Sequence, residues 1–276
     1  MRLRAATLFS IVLLASCAGP APGGSAGIVT LVPSFADDVY ALGAGRGLVA
    51  VSAYTDDPRA ATLPRVADAS SVDVEKIVAL RPSAVAGIPA QTRLVEPLRR
   101  AGLHVVLLDD DGYDLIFSDL LAIGVLTNRQ AQAAAVVARL QRRTAQLRAV
   151  ARRFRWHPRV FVVLESAPVW TAGRGSYIST LVALAGGINA AGDLRAPYGQ
   201  YSAETLLENQ PDVIVADRAA RLDAVLDREP WRSLRAVKLH RVFYVDSDLL
   251  ERPGPRYNEA IAWLEARLRP VAMANS

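Results

Sequence analysis

Asp248 and Arg252 stand four residues apart beside Pro253-Gly254-Pro255, and Glu75 and Glu204 hold matching places in two similar stretches 129 residues apart. An acid and an arginine at that spacing near a helix start form at least an ion pair, worth less than about 1 kcal/mol when exposed. A glutamate in a first helical turn gains about 0.3–1 kcal/mol from the helix dipole. Histidine chemistry has no foothold, because His104, His157 and His240 are too far apart to write a local metal-ligand or catalytic motif. No G-x-S-x-G elbow raises a nucleophilic serine. Asp109-Asp110-Asp111 lacks the spacing and distal glutamate of a calcium loop and reads as a solvated strand end. Gly173-Arg174-Gly175-Ser176 opens a helix after a strand, but no Walker lysine follows, so Ser176 reads as an N-cap. No catalytic residues, cofactor or metal follow from this inventory, and the chain reads as a binding protein rather than an enzyme.

The elements that must position these residues come in two copies. Val72 to Ala86 aligns with Tyr201 to Val215 at a constant offset, each copy reading as a capped short helix (Asp73, Ser202), a first-turn glutamate, a proline seven residues later, and a short apolar strand. Strands are expected at Ile28 to Val32, Leu48 to Ala53, Ala84 to Ala86 and Val105 to Asp109, with helices from about Ser34, Val74, Leu94 and Tyr113. In the second half strands are expected at Val160 to Glu165, Val213 to Ala216 and Val242 to Val245, with helices from about Ser176, Ala203, Leu222 and Pro255. Alternation of this kind predicts an α/β fold of two Rossmann-like lobes with mostly parallel sheets. Between them, a capping box of Thr127 and Gln130 opens one long rigid α-helix whose inner face is Val137, Leu140, Thr144, Leu147, Ala151 and Phe154. At 1.5 Å per residue it spans roughly 40 Å, and such a stiff joint predicts only a small closing motion. The expected organisation is a leader at 1–17, a flexible tether at 18–27, an N-terminal lobe at 28–126, the linker helix at 127–154 and a C-terminal lobe at 155–270.

Composition sets the compartment and the class of partner. Arg2 and Arg4 precede an apolar run, Ala5 to Leu14, that is too short to cross a bilayer and reads as an export signal. Leu14-Ala15-Ser16-Cys17 resembles the lipobox of bacterial lipoproteins, which implies acylation of Cys17, the only cysteine, and anchoring of an exported, periplasmic chain to a membrane. Nine arginines and no Asp, Glu or Lys lie between Leu120 and Leu164. The pI of 9.6 therefore belongs to one segment, and an exported chain meets no nucleic acid.

These features together resemble the substrate-binding proteins of ABC importers for iron chelates, haem and cobalamin, nearest the cobalamin-binding members, over nearly all of Ile28 to Leu268. The resemblance rests on Thr30-Leu31-Val32-Pro33-Ser34, Val51 to Pro58, Glu75 to Pro82, Thr171-Ala172-Gly173, Gly186-Gly187-Ile188-Asn189 and Ser247 to Arg256. It implies a helical-backbone periplasmic binding protein fold, a monomer, that takes cobalamin or a related corrinoid into an inter-lobe cleft. It also implies ligand contacts from Phe35, Tyr54, Trp170, Tyr198, Asp248 and Arg252, and docking of Glu75 and Glu204 onto arginines of an ABC permease in the inner membrane. A flat ring fringed by amides needs aromatic walls and a few polar hooks. One departure is Ile88-Pro89, where an aromatic residue is expected. Haem or a ferric siderophore stands as the rival ligand, with Tyr54 or Tyr198 as an axial group for haem, and a surface hydrolase or chaperone-like lipoprotein as the remote alternative.

Overall fold

The computed structural model describes residues 27–109 and 112–274. The expected leader with Cys17, the tether up to residue 26, and Asp110 and Asp111 lie outside them.

Strands as uniformly buried as Val213-Ile214-Val215-Ala216 must be covered on both faces, which suits parallel sheets flanked by helices. In the first half, β1 (Ile28–Thr30), β2 (Leu48–Ser52), β3 (Arg65–Ala67), β4 (Ala84–Gly87) and β5 (Val105–Leu107) form one sheet in the order β3-β2-β1-β4-β5, every pair parallel. Its helices are α1 (Pro33–Ala41), α2 (Val74–Leu80) and α3 (Thr92–Arg100), followed by α4 (Leu115–Leu126) and α5 (Gln130–Ala151). The second half runs β6 (Arg159–Val163), β7 (Glu165–Ser166), β8 (Val169–Ala172), α6 (Tyr177–Leu184), β9 (Ile188–Asn189), β10 (Tyr198–Gln200), α7 (Ala203–Asn209), β11 (Val213–Asp217), α8 (Arg235–Lys238), β12 (Val242–Val245), α9 (Ser247–Leu250) and α10 (Tyr257–Met273). Its parallel sheet, β12-β11-β6-β9, repeats the order β5-β4-β1-β2 of the first.

The repeat is reproduced down to its caps. Asp73 accepts from the Lys76 amide at 3.0 Å, and Ser202 from the Glu204 amide at 3.2 Å. Both helices end on a left-handed residue, Arg81 (φ 47°) and Gln210 (φ 40°), whose amide returns to the last turn before a proline stops the helix.

Four expectations need correction. Thr127 does not open the linker helix: its hydroxyl donates to the Ile123 carbonyl at 2.7 Å and closes α4 instead. The helix runs over 22 residues, about 33 Å, and starts after Arg129 with no side-chain cap. Of its expected inner face, Leu140, Thr144, Leu147, Ala151 and Phe154 are buried, but Val136 and Ala133 rather than Val137 fill the first turns. The helix expected from Leu222 is one 3₁₀ turn, Leu222–Ala224, entered through Arg221 at φ 49°. The strand expected to reach Glu165 stops at Val163, and Glu165–Ser166 turns into a separate antiparallel sheet, β10-β8-β7.

One hydrophobic cluster runs from Ile28 and Phe35 through Leu120, Leu140 and Leu147 to Val160, Leu181 and Leu264, so α4, α5 and α10 join the two sheets through shared core. At its centre the Thr144 hydroxyl lies 2.7 Å from that of Tyr257 and 3.0 Å from Asn258 Oδ1, while Asn258 Nδ2 donates to the Leu140 carbonyl at 2.9 Å. Satisfying every polar group of that buried knot fixes α10 against α5 in one register.

Candidate functional site

In parallel sheets the carboxyl ends of the strands face a shared crevice, and the loops leaving them form the site. Here the turn from β1 into α1 (Val32, Pro33, Ser34) and the segment after β12 (Ser247, Asp248, Glu251, Arg252, Pro253) line a shallow, open hollow of about 300 Å³. A second cavity of about 380 Å³ lies on the other side of Arg252, lined by Asp37, Asp57, Arg139, Arg256 and Glu259 among others.

Arg252 links the two halves of the chain. Its guanidinium donates to Asp248 at 2.9 Å, to Asp56 at 2.9 Å and to Asp37 at 3.4 Å. The first acid lies on α9, the second in the loop after β2 and the third on α1. Asp248 and Arg252 are thus paired as their spacing suggested, while two first-half carboxylates share the same cation. A hydrogen bond from Asp248 holds the Asp56 carboxyl down at about 2. The same bond pushes Asp248 above its ordinary value, and burial adds to it. Burial raises Asp37 as well, against the pull of Arg252.

The loop that carries Asp56 is braced. Arg65 donates to the carbonyls of Thr55 at 2.7 Å and Ser52 at 3.2 Å. Asp57 accepts from the Arg59 amide at 2.8 Å, and the Arg59 guanidinium lies 4.0 Å above the Tyr40 ring. Held this way, Tyr54 projects into solvent with 58% of its surface exposed.

Across the site, β8 and β10 pair Trp170 with Gln200 and Ala172 with Tyr198. Trp170 and Tyr198 therefore project from the same face as diagonal neighbours, within reach of one another. Both are half-buried. Tyr198 lies close enough to Tyr177 to join burial in raising its hydroxyl, and the Tyr177 hydroxyl donates to the Arg252 carbonyl at 3.4 Å. Phe35 is a correction: it is 1% exposed inside the core, because the first turn of α1 aims it at the helix layer rather than at the crevice.

Glu251, on the wall of the smaller cavity, is pushed up to about 8 by burial and by the neighbouring Asp217 carboxyl. Both effects favour its protonated form. Asp37, Asp56, Asp217 and Glu251 were not singled out in the sequence. Asp56 sits beside Tyr54 in the Val51 to Pro58 stretch and Glu251 beside Arg252 in the Ser247 to Arg256 stretch, whereas Asp37 and Asp217 carry no local signal.

Glu75 and Glu204 are exposed and have no ion pair among the described residues. Helices α2 and α7 run antiparallel to the strands they feed, so both N-termini lie on the carboxyl side of their sheets, the side of the crevice. The three histidines instead precede β5, β6 and β12, at the opposite edge. No group of three or more metal-ligating side chains occurs among the described residues, and none of their helices is long and apolar enough to cross a membrane.

Residues 28–249 match the family described as periplasmic binding protein. The chain is 30% identical over 237 residues to the vitamin B12-binding protein of Vibrio cholerae, covering 85% of this chain and 86% of that one. It is 27% identical over 251 residues to an ABC transporter substrate-binding lipoprotein of Bacillus subtilis, covering 88% and 80%. Among solved structures, the periplasmic vitamin B12 binding protein of Vibrio cholerae superposes with a TM-score of 0.78 at 29% identity, covering 91% of this chain and 99% of that one. The periplasmic heme-binding protein of Roseiflexus sp. RS-1 superposes with a TM-score of 0.81 at 25% identity, covering 90% and 100%. Doubly capped sheets, a crevice at their carboxyl edges and these likenesses agree, and the chain belongs to the periplasmic binding protein family as a substrate-binding protein of ABC import.

Proposed function

We propose that this protein captures cobalamin or a related corrinoid at the crevice and delivers it to an ABC permease in the inner membrane. The observation that carries the reading is the charge of the crevice. Its walls hold Asp37, Asp56, Asp57, Asp248, Glu251 and Glu259 against Arg59, Arg139, Arg252 and Arg256, and at the centre Arg252 is shared by Asp37, Asp56 and Asp248. Haem brings two propionates and a ferric siderophore is commonly anionic, so both find acids outnumbering arginines here; the histidines lie at the far edge of the sheets, which leaves Tyr54 or Tyr198 as the axial group for a haem iron. A corrinoid is fringed by uncharged amides that donate to carboxylates and accept from arginine and a protonated acid. Tyr54, Trp170 and Tyr198 offer ring faces to its macrocycle, and the 300 Å³ cavity admits its edge rather than its whole body. The two halves act as lobes that close by a small motion, since α5 and the Thr144 knot tie them. Glu75 and Glu204 dock onto permease arginines, steering encounter and setting register.

The reading is tested by calorimetric titration of the purified protein with cyanocobalamin and with haemin, alongside uptake in cells. Cyanocobalamin is expected to bind one to one, with haemin at least tenfold weaker. E75A/E204A is expected to abolish uptake with affinity unchanged. Haemin binding with no cyanocobalamin binding overturns the corrinoid assignment, and loss of affinity in the double variant moves the glutamates into the binding site.

A further inference from the structure

Apart from Arg139, which lines the second cavity, the arginine-only segment plays no part in the crevice. In the structure it forms the outer side of α5 and the turn after it. Arg142, Arg143, Arg148, Arg152 and Arg153 are all exposed, and no carboxylate stands within ion-pair distance of any of them among the described residues. Arg143 makes one neutral bond, to Gln146 at 3.3 Å. Exposed positions on α5 hold only alanine, glutamine and arginine, so nothing long and acidic folds back over the guanidinium groups. Beside it, α4 packs against α5 so closely that a Cβ on Gly124 would lie 2.6 Å from that of Ala133. That same helix leaves Leu121 and Val125, four residues apart on one face, 43% and 59% exposed.

We propose that the α4–α5 face is a docking surface for an anionic phospholipid bilayer. Unpaired guanidinium groups crowded on the last turns of α5 and the turn after it, among short exposed side chains, match an array of phosphates, and the apolar pair on α4, beside the first turns of α5, can enter the headgroup boundary. Charge complementarity favours lipid over single-stranded nucleic acid, because no exposed aromatic ring lies among these arginines for a base to stack on. The surface lies outside the crevice and is independent of the proposed ligand. When the protein rests on such a membrane, its own net charge distribution orients it: outside this segment the exported chain carries more acidic than basic residues.

The test uses the exported chain bearing Cys17→Ser, so that no acyl chain contributes, in flotation with phosphatidylcholine vesicles and with vesicles holding 30% phosphatidylglycerol. Binding to the anionic vesicles alone is expected, falling at high salt. R142Q/R143Q/R148Q is expected to weaken it roughly a hundredfold, at about fivefold per arginine. The control R93Q/R99Q/R100Q, which removes the same charge from exposed positions of α3, is expected to retain it. L121S/V125S tests the apolar part and is expected to weaken binding severalfold without changing the salt dependence. Equal loss in the α3 control reduces the effect to net charge and overturns the proposal. So does equal binding to neutral vesicles, or binding of single-stranded DNA with none to vesicles. Glutamine keeps helix propensity, and an unchanged melting curve confirms that the variants fold.

Discussion

Replacing Asp56 by asparagine separates two roles that the crevice combines. In the structure Asp56 occupies one prong of the Arg252 fork at 2.9 Å, while Asp248 holds the other. A ligand acceptor that takes Arg252 must displace Asp56, the more exposed partner, whose side chain is 49% exposed against 17% for Arg252. A pair at such a rim is worth about 0.2–1 kcal/mol, so removing the competitor tightens ligand binding by up to about fivefold. Arg252→Gln acts oppositely: it removes a charge-assisted bond worth about 1.5–3 kcal/mol, a loss of roughly tenfold to a hundredfold, and leaves three acids without their cation. Calorimetry with cyanocobalamin on the wild type, D56N, R252Q and the double variant closes the cycle. With Arg252 gone, D56N should have no further effect on affinity beyond relief of acid repulsion. If D56N weakens binding as much as R252Q does, Asp56 is itself a ligand contact and the competition argument fails.

Two further outcomes follow from the geometry. Glu251 has a folded-state pKa of about 8, above the ordinary 4.5, so it lends its stability in full below pH 4.5 and loses it as the pH climbs through 8. Chemical denaturation from pH 5 to 9 should show Glu251→Gln removing that decline, gaining about 2 kcal/mol over wild type at pH 9 after allowance for partial solvent screening, and little at pH 5. Gly173→Ala should lower the melting temperature by 5 °C or more, since its Cβ would press on the backbone carbonyls of Ala196 and Leu194, the latter at 2.7 Å, which cannot move without breaking the hydrogen bonds that the Gly173 and Arg174 amides donate to the Pro197 and Leu194 carbonyls.

What was legible in the sequence is what the backbone decides locally. Asp73 and Ser202 cap their helices, Pro82 and Pro211 stop them, and β12 runs over the expected Val242–Val245, because caps, prolines and apolar runs act within a few residues. The linker helix is readable for the same reason, through its 3,4 spacing. Its start was misread because a threonine three residues before a glutamine suits two roles: an N-cap for α5, or, as found, a hydroxyl bonded back to Ile123 at the close of α4. The small antiparallel sheet is not legible because Glu165–Ser166 is a two-residue strand and Tyr198–Gln200 a three-residue one, too short for any period to show.

The crevice was only half legible, for a different physical reason. Asp248 and Arg252 announce themselves by helical spacing, but the two acids that complete the cluster lie 196 and 215 residues away from the arginine. No pattern of propensity or periodicity reaches that far. What brings them together is tertiary: α1 and the loop after β2 leave one sheet at its carboxyl edge, α9 leaves the other, and α5 with α10 sets the gap between them. A charge cluster spanning that gap depends on the separation of the sheets to within a fraction of an ångström, because a 2.9 Å bond stretched by much more than 0.5 Å ceases to be one. Ligand entry and lobe separation must therefore be read on the same atom pair. A solute that takes Arg252 from Asp56 exchanges one tie between the halves for its own contacts, and a change in α5 that shifts the gap is expected to change affinity.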